Sequence, residues 1–478
     1  MAGGTWSTTD KPVLPGFYMT FRAAATAAIQ PGARGIVAVP VRAHWGPVHQ
    51  FVEIAGEADA ANAFTRSEAD GATAYRTIRL ALLGGAKKIL AYRLADDSAS
   101  ASTIELQDAG SASVLKLEAK YPGARGNSFK VTVQANLAEP AKQDLKLYEG
   151  TTLLRTFTFD GSSVQAAVDE INGDSGNSWI TATKLNEGEL AIVSGASFSG
   201  GDSGLANVSY EHYLNALADF ETQEFNVVAL DGVSDSGLHA SVAAWANRLR
   251  DEGKGTVVVV GGTAADDTAA DAVAKAVARS AALNHEGIVN VGTGAKLGDA
   301  TYSSAQLAAY VAGLIAGQSL NQSTTYAPSP FEDVTRRWTR SEQEQAVRGG
   351  VFLLVHDGRM VKALRGINSL VTLREGQNLP WKKIRTIRVM DSINADLQRT
   401  AEESYIGKVN NTEEGRLALI GACKQYMQTL AQAGVIEAEG YDVYVDPDFV
   451  PEPDQVFLKW EARLTDVMEQ IFSTFIVR

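Results

Sequence analysis

Residues 256–291 read TVVVVGGTAADDTAADAVAKAVARSAALNHEGIVNV, and this stretch decides the fold class. It opens with a short apolar run, Thr256 to Val260, continues with a helical pattern from Asp266 to Leu283, and ends in a second apolar run, Gly287 to Val291. Continuous apolar runs are typical of strands in a parallel sheet that is covered by helices on both faces. The stretch therefore predicts a strand–helix–strand unit of an α/β domain.

The same alternation extends to both sides of this unit. Directly before this unit it predicts helices Tyr210 to Phe220 and Gly237 to Arg250 and strand Phe225 to Leu230, and after it helix Ser304 to Ala316. Earlier in the chain, it predicts strands Gly35 to Val39 and Lys88 to Arg93, and helices Ala58 to Phe64 and Gly71 to Leu83. The Asp357-Gly358 pair predicts a hairpin. We assign residues 22–97 and 206–365 to one α/β domain, with a fold that is mostly parallel sheet.

Between the two α/β segments the composition changes. Residues 98–205 are rich in Ser, Thr, Gly and Asn, and turn signals such as Asn172-Gly173-Asp174 separate short alternating runs. Such spacing is typical of an all-β sandwich or barrel. The predicted strands are Ser113 to Ala119, Phe129 to Ala135, Asp144 to Tyr148, Leu153 to Phe159 and Leu190 to Ser194, with one helix at Val164 to Ile171. We interpret residues 98–205 as an inserted β module.

The two ends of the chain have the character of arms. Residues 1–21 begin small and polar and end in an alternating run after Pro15-Gly16, which predicts a strand at Phe17, Tyr18, Met19, Thr20 and Phe21. Residues 366–460 predict an α+β domain with helices Thr386 to Ile406 and Thr412 to Ala433 and strands Asp442 to Val445 and Val456 to Trp460. In residues 461–478 we predict a short helix, Asp466 to Ile471, and an apolar strand formed by Ser473, Thr474, Phe475, Ile476 and Val477. A strand on an arm is suited to pairing with another sheet edge.

Composition excludes several classes of protein. Among the 478 residues, 45% are hydrophobic and 21% are charged, which is ordinary for a globular chain. The net charge of −13 argues against a nucleic-acid binder, which needs a basic surface. The single cysteine, Cys423, excludes an internal disulfide framework. The start lacks the pattern of a secretory signal, and the longest apolar run, Leu307 to Gly317, is about half a membrane span. We therefore expect assembly in the cytoplasm and no membrane insertion.

Motifs for enzyme chemistry are absent or weak. The segment Gly292 to Gly298 follows a strand, but it misses the dinucleotide-binding spacing by one residue, so a glycine-rich turn is the better interpretation. An order of Asp231, then His239 or His285, then Ser303 could imitate a hydrolase triad, yet no nucleophile motif surrounds it. The six histidines do not have the spacing of zinc ligands. We predict no catalytic residue, no metal site and no cofactor.

One segment stands out by its charge. Between Arg359 and Arg388 there are eight cations and one anion, whereas residues 391–478 carry 16 acidic and seven basic side chains. The two blocks could neutralise each other within one fold, or they could be complementary patches on different copies of the chain. Phosphate binding by the basic block is a third, weaker interpretation. The predicted electrostatic interface comprises Arg374, Lys382, Lys383, Arg385 and Arg388.

Several short stretches, taken in order, resemble one known family. Residues 11–21, KPVLPGFYMTF, and the later Trp45-Gly46-Pro47 resemble the start of contractile-tail sheath proteins of phages and phage-derived particles. Residues 119–127, AKYPGARGN, are similar to the opening of that family's β-sandwich domain. Residues 366–370, GINSL, and 405–411, YIGKVNN, resemble its C-terminal region. Each motif alone is weak, but their order over nearly the whole chain is fairly specific.

This resemblance implies a structural role. Family members assemble helically around a tail tube, contract on a baseplate signal, and drive the tube through a cell envelope. The resemblance implies a subtilisin-like core without protease activity, terminal strands exchanged between copies, and no cofactor. The implied partners are other copies of the chain, the tube, the baseplate and the tail terminator, in a virion tail. An active α/β hydrolase and a polymer that does not contract remain the alternatives.

Overall fold

The computed structural model describes residues 28–477 and the backbone of two short parallel strands nearer the start, β1 (Gly3–Gly4) and β2 (Phe17–Tyr18). The chain divides into two compact units, residues 33–391 and residues 392–478 with 1–32. Several separate sheets are combined with helices, so the predicted mixed α/β class is confirmed.

The α/β part of the first unit begins with a short segment of strands and helices. These are β3 (Ile36–Arg42), β4 (Phe51–Ile54), α1 (Glu57–Phe64), α2 (Ala74–Gly84) and β5 (Lys88–Leu94). Strands β3 and β5 are almost fully buried, as expected for apolar runs that are covered on both faces.

The inserted module comes next and forms two facing sheets. Its elements are β6 (Thr103–Gln107), β7 (Ser113–Ala119), β8 (Phe129–Ala135), β9 (Lys142–Glu149), β10 (Thr152–Asp160), α3 (Val164–Gly173), β11 (Ile180–Lys184) and β12 (Val193–Ser197). One sheet has the order β10-β9-β8-β12 and the other β11-β7-β6. Alternate side chains such as Leu117, Val131 and Phe157 fill the core between them, with Ile171 from α3. This arrangement is a β-sandwich.

The chain then returns to the α/β sheet. The elements of this segment are α4 (Tyr210–Phe220), β13 (Val227–Ala229), α5 (Ser236–Asp251), β14 (Val257–Gly261), α6 (Ala264–Thr268), α7 (Ala272–Leu283), β15 (Ile288–Val291), β16 (Ala295–Leu297), β17 (Ala300–Tyr302), α8 (Ser304–Gly317), β18 (Asp333–Val334), α9 (Arg340–Arg348), β19 (Val351–Phe352), β20 (Leu354–His356) and β21 (Val361–Ala363). The sheet has the order β19-β15-β14-β13-β3-β5-β4, and only β4 runs antiparallel to its neighbour.

Helix α8 is the centre of this unit, because twelve of its fourteen residues are buried. It approaches α2 so closely that only glycine fits at the crossing. A Cβ on Gly313 would lie 2.0 Å from the Ala81 carbonyl oxygen, and a Cβ on Gly84 would lie 2.1 Å from that of Tyr310. Backbone contact of this kind leaves no room for side chains between α2 and α8. The two helices therefore form one closely packed layer on one face of the sheet.

A buried arginine joins the sandwich to the α/β sheet. Arg93, at the end of β5, is 0% exposed, and its guanidinium donates to the carbonyls of Gly46 at 2.6 Å, Pro122 at 2.7 Å and Ser203 at 3.1 Å. Burial lowers the pKa of Arg93 to about 10, so it remains charged at neutral pH. Trp45 enters the sandwich core and meets Phe129 edge-on at 5.4 Å. The insertion is therefore held by a charged side chain as well as by apolar packing.

In the second unit, residues 392–477 contain two long helices and one small sheet. Helix α10 (Ile384–Thr400) enters it from the first unit and continues into a π-helical turn, Ala401–Tyr405, before α11 (Glu413–Gln432). Strands β22 (Asp442–Val445) and β23 (Leu458–Glu461) pair antiparallel. Cys423 is buried on α11, and burial raises the pKa of its thiol to about 11, as expected of a packing residue.

Two sequence predictions were wrong in detail. The predicted helix from Asp266 to Leu283 is broken into α6 and α7, since the backbone of Ala269 is extended. Asp466 to Ile471 form no helix, and the strand predicted at Ser473 to Val477, which needs a second copy as its partner, stays a prediction. Within residues 28–477, no helix combines the length and apolar character that a membrane crossing requires.

Replacing Arg93 with Met tests the junction. We expect the loss of about 3 kcal/mol or more of unfolding free energy, because three buried carbonyls would lose a charged donor. Lys116→Met is the control: Lys116 lies in the sandwich and forms a partly exposed pair with Glu118, worth about 1 kcal/mol or less. Denaturant unfolding followed by circular dichroism measures both, and equal losses would contradict the role given to Arg93.

His239 gives the fold a dependence on pH. It is buried on α5, and burial lowers its pKa to about 4. The unfolded chain binds this proton near pH 6.5 and the folded chain does not, so its contribution to stability is lost as the pH falls from about 6.5 to about 4. We expect wild type to lose about 3 kcal/mol relative to His239→Gln between pH 7 and pH 4. Equal losses in both proteins would show that His239 does not titrate this way.

Candidate functional site

The residues of the triad-like order do not come together as a triad. Asp231 accepts hydrogen bonds from Arg42 at 2.9 Å, Thr73 at 2.6 Å and Tyr213 at 2.7 Å, so its carboxylate is committed to structure. Ser303 caps α8 by accepting the amide of Gln306. In the described residues no hydrogen bond links Asp231 to a histidine. This arrangement ties β3, α4 and the end of β13 together, and within the described residues Ser303 has no hydrogen bond to a histidine either.

The glycine-rich segment after β15 is filled by protein. It turns into the β16–β17 hairpin instead of opening a helix. A Cβ on Gly292 would lie 2.3 Å from Val351 Cγ1, and a Cβ on Gly294 would lie 2.4 Å from the Tyr302 carbonyl oxygen. These glycines allow close packing of the chain on itself. Across the described ranges, no group of three or more His, Cys, Asp or Glu side chains is arranged to hold a metal ion.

The predicted N-terminal strand lies partly within the described residues. Phe17 and Tyr18 form β2, whose backbone pairs with Gly3 and Gly4. Met19, Thr20 and Phe21 lie outside the described residues.

The C-terminal arm is the most apolar exposed surface of the second unit. The side chains of Phe472, Phe475 and Val477 are 90%, 89% and 81% exposed. The predicted strand Ser473, Thr474, Phe475, Ile476 and Val477 is exposed along its whole length, with Met468 and Ile471 before it. A run of large apolar side chains in water is unfavourable, and it marks a surface that another molecule covers.

The same unit contains a sheet with open edges. Strands β22 and β23 pair only with each other among the described residues, so each leaves one row of backbone donors and acceptors unpaired. Side-chain bonds at the ribbon, such as Lys424 to Asp442 and Tyr444 to Glu461, hold its register. A two-stranded ribbon is marginal by itself, and added strands would stabilise it.

The basic segment is divided between surface and interior. Arg374 is exposed, and Lys382 and Lys383 are half-buried, with Lys382 Nζ donating to the Val371 carbonyl at 2.6 Å. Arg385 is only 5% exposed. Arg388 donates to the Gln318 carbonyl at 2.7 Å.

Arg385 and Arg388 lie together on the first turns of α10, near Arg34. Burial, together with the charges of Arg34 and Arg385, lowers the pKa of Arg388 to about 10. In a single chain, therefore, Arg374, Lys382 and Lys383 are the members of the predicted set with side chains at the surface. The apolar spacing of Ile384 and Ile387 is the signal that could have shown the burial of this helix face.

Comparison with known proteins gives matches along most of the chain. Family models match as follows: tail sheath protein Gp18 domain III N-terminal region at residues 34–94, phage tail sheath protein beta-sandwich domain at 95–203, phage tail sheath protein central domain at 206–369, and phage tail sheath C-terminal domain at 377–478. The order of these domains follows the order of the segments described above.

Individual proteins agree with these domains. The sheath tail protein of Desulfitobacterium hafniense is 30% identical with a TM-score of 0.74, over 95% of this chain and 98% of that one. The phage-like element PBSX protein XkdK of Bacillus subtilis is 29% identical over 99% of both chains. The contracted helical sheath of the anti-feeding prophage shares the fold, with 13% identity and a TM-score of 0.56, over 98% of this chain and 99% of that one. The chain therefore belongs to the phage tail sheath protein family, as a structural subunit and not an enzyme.

Proposed function

We propose that this chain polymerises helically around a tail tube and that the polymer contracts to drive the tube through a cell envelope. The observation that carries the proposal is the unfinished C-terminal unit, which has an exposed apolar arm and a two-stranded ribbon with open edges. Strands donated by neighbouring copies would satisfy both, because strand addition pairs backbone groups and covers apolar side chains at once. A head-to-tail contact of this kind does not close on itself, and it generates an open helix.

The donated strands are those predicted from the sequence. Phe17 to Phe21 and Ser473 to Val477 would each add to the β22–β23 ribbon of another copy. Residues 1–21 and 461–478 would then be arms, and residues 366–460 the domain that receives them. Backbone pairing is indifferent to most side chains, so such a mesh could persist while the larger domains change their relative orientation.

The α/β domain, residues 22–97 and 206–365, would be a scaffold with a subtilisin-like fold, and residues 98–205 its inserted sandwich. The parallel order of the large sheet, with helices on both faces, supports this assignment. Assembly would take place in the host cytoplasm on a tail tube, between a baseplate and a tail terminator. The extended sheath would be a kinetically trapped state, so contraction would need no nucleotide.

Deleting residues 1–20 tests the arm. We expect a folded subunit that forms no tubes, since each ribbon would lack one donated strand. Negative-stain electron microscopy and sedimentation, with the tube protein co-expressed as a template, measure assembly. Leu137→Asp is the control: this side chain is 96% exposed on the sandwich and outside both arms, so tubes should form as in wild type. Normal tubes from the truncated chain would contradict strand exchange, and tubes that never shorten would favour a polymer that does not contract.

A charge reversal tests the electrostatic interface. Arg374→Glu combined with Lys382→Glu should weaken assembly several-fold at low salt, and the difference from wild type should shrink as salt rises. Reversing Arg385 is unsuitable, because it would place a carboxylate in a buried site. Arg340→Glu with Arg348→Glu makes the same change of charge on α9, where the two side chains are 93% and 82% exposed. Equal effects of both pairs, or none, would count against a specific role for the basic segment.

A further inference from the structure

The chain that leads out of the N-terminal arm is fastened to the C-terminal unit. Residues 1–32 group with residues 392–478 in one compact unit. Within the described residues, Ile29 is 7% exposed, and residues 30 and 32 bond to side chains of α10. We call residues 29–32 the arm root. Its attachment depends on a few polar contacts that can be examined one at a time.

Asp396 is at the centre of these contacts. Its side chain is 3% exposed. Oδ1 accepts the backbone N–H of Gly32 at 2.6 Å, and Oδ2 accepts the hydroxyl of Tyr426 on α11 at 2.6 Å. A carboxylate is costly to bury in the middle of a helix unless its oxygens are bonded. Asp396 thus joins α10, α11 and the arm root through one side chain.

Arg399, one turn later on α10, completes the attachment. Its Nη2 donates to the Gln30 carbonyl at 2.5 Å and lies 3.6 Å from Asp396 Oδ1. The approach is close, since a Cβ at position 32 would lie 2.6 Å from Arg399 Nη1 and 3.1 Å from Asp396 Oδ1, and the end of the Arg399 side chain would have to shift. The arm root therefore has two backbone anchors, a donor at Gly32 and an acceptor at Gln30, held by one acidic and one basic side chain.

We propose that Asp396, with Arg399, is a positioning residue that fixes where the N-terminal arm leaves the subunit. The inference rests on the proposed strand exchange for its consequence, but the clasp itself is a property of the unassembled chain. An arm whose root is fixed at residues 29–32 searches a smaller volume for its neighbour's sheet edge than an arm in which all residues before 33 are free. Less conformational entropy is therefore lost on pairing. The clasp would also make the arm move with the C-terminal unit, which contains the ribbon that receives strands.

The test compares four full-length variants. Asp396→Ala removes the acceptor of Gly32, and Arg399→Met removes the donor to Gln30 while leaving a good helix former at a partly exposed position. Tyr426→Phe removes the α11 side of the clasp and leaves both anchors of the arm root. Asp231→Ala is the matched control, because this buried carboxylate also bonds a tyrosine and an arginine but lies in the α/β domain.

Two measurements separate the clasp from general stability. Hydrogen exchange of residues 28–36, measured by mass spectrometry on unassembled subunits, should accelerate about tenfold in Asp396→Ala and Arg399→Met and less than about twofold in Tyr426→Phe and Asp231→Ala. The threshold concentration for tube formation on the tube protein should rise about tenfold in the first two variants. Thermal unfolding verifies that all four variants are folded.

Each outcome of these measurements either supports or contradicts the proposal. Unchanged exchange in both anchor variants, or equal acceleration in all four variants, would overturn the clasp, whatever happens to assembly. Faster exchange with unchanged tube formation would overturn the positioning role. If wild type itself formed no tubes, the proposed function would fail, while the exchange measurement would still report on the clasp. Faster exchange and a raised threshold confined to the two anchor variants would support the proposal.

Discussion

Unpaired backbone groups in the C-terminal ribbon are the constraint on which the proposed assembly of this molecule depends. The large sheet of the first unit is complete in itself: its seven strands pair in order, and helix α8 covers one of its faces. Among the described residues of the second unit, β22 pairs with β23 alone, and Phe472, Phe475 and Val477 are left in water. Peptide groups and apolar side chains both need partners, and the proposed strand exchange would supply them from another chain. The first unit, whose large sheet is complete, would serve as the scaffold of the subunit. The second unit, whose ribbon has open edges, would connect it to other copies.

Two buried carboxylates of the first unit are bound into structure. Asp231 accepts bonds from Arg42, Thr73 and Tyr213, and Asp267 accepts bonds from Ser304. Burial raises the pKa of Asp267 to about 6, but both of its oxygens accept bonds from the start of α8. Perturbed carboxylates arise wherever acids are buried, and a perturbed pKa indicates catalysis only beside a cleft and a partner.

Much of this fold could be predicted from the sequence because its signals are local. Apolar runs and helical periodicity indicated β14, β15 and α8, and alternation gave β7 and β8 to the residue. What failed depends on distant contacts. The helix predicted across α6 and α7 breaks at the extended Ala269, close to Asp267, which bonds to a residue 37 positions later, and the burial of Arg385 depends on packing around α10. The clasp at Asp396 joins residues 364 positions apart, which no local pattern can indicate. The terminal strands remain predictions, since the partners proposed for them lie on other chains.

The junction at Arg93 bears on how such proteins diversify. The arginine belongs to β5, and its acceptors are the main-chain carbonyls of Gly46, Pro122 and Ser203, so the bonds use no side chain of the sandwich. The scaffold therefore supplies the charged donor, and the sandwich contributes acceptors only through the path of its backbone. Evolution can then substitute nearly every surface residue of the sandwich, or replace the whole module, without altering the scaffold that carries it. The sandwich can in this way be inherited separately from the domain that carries it.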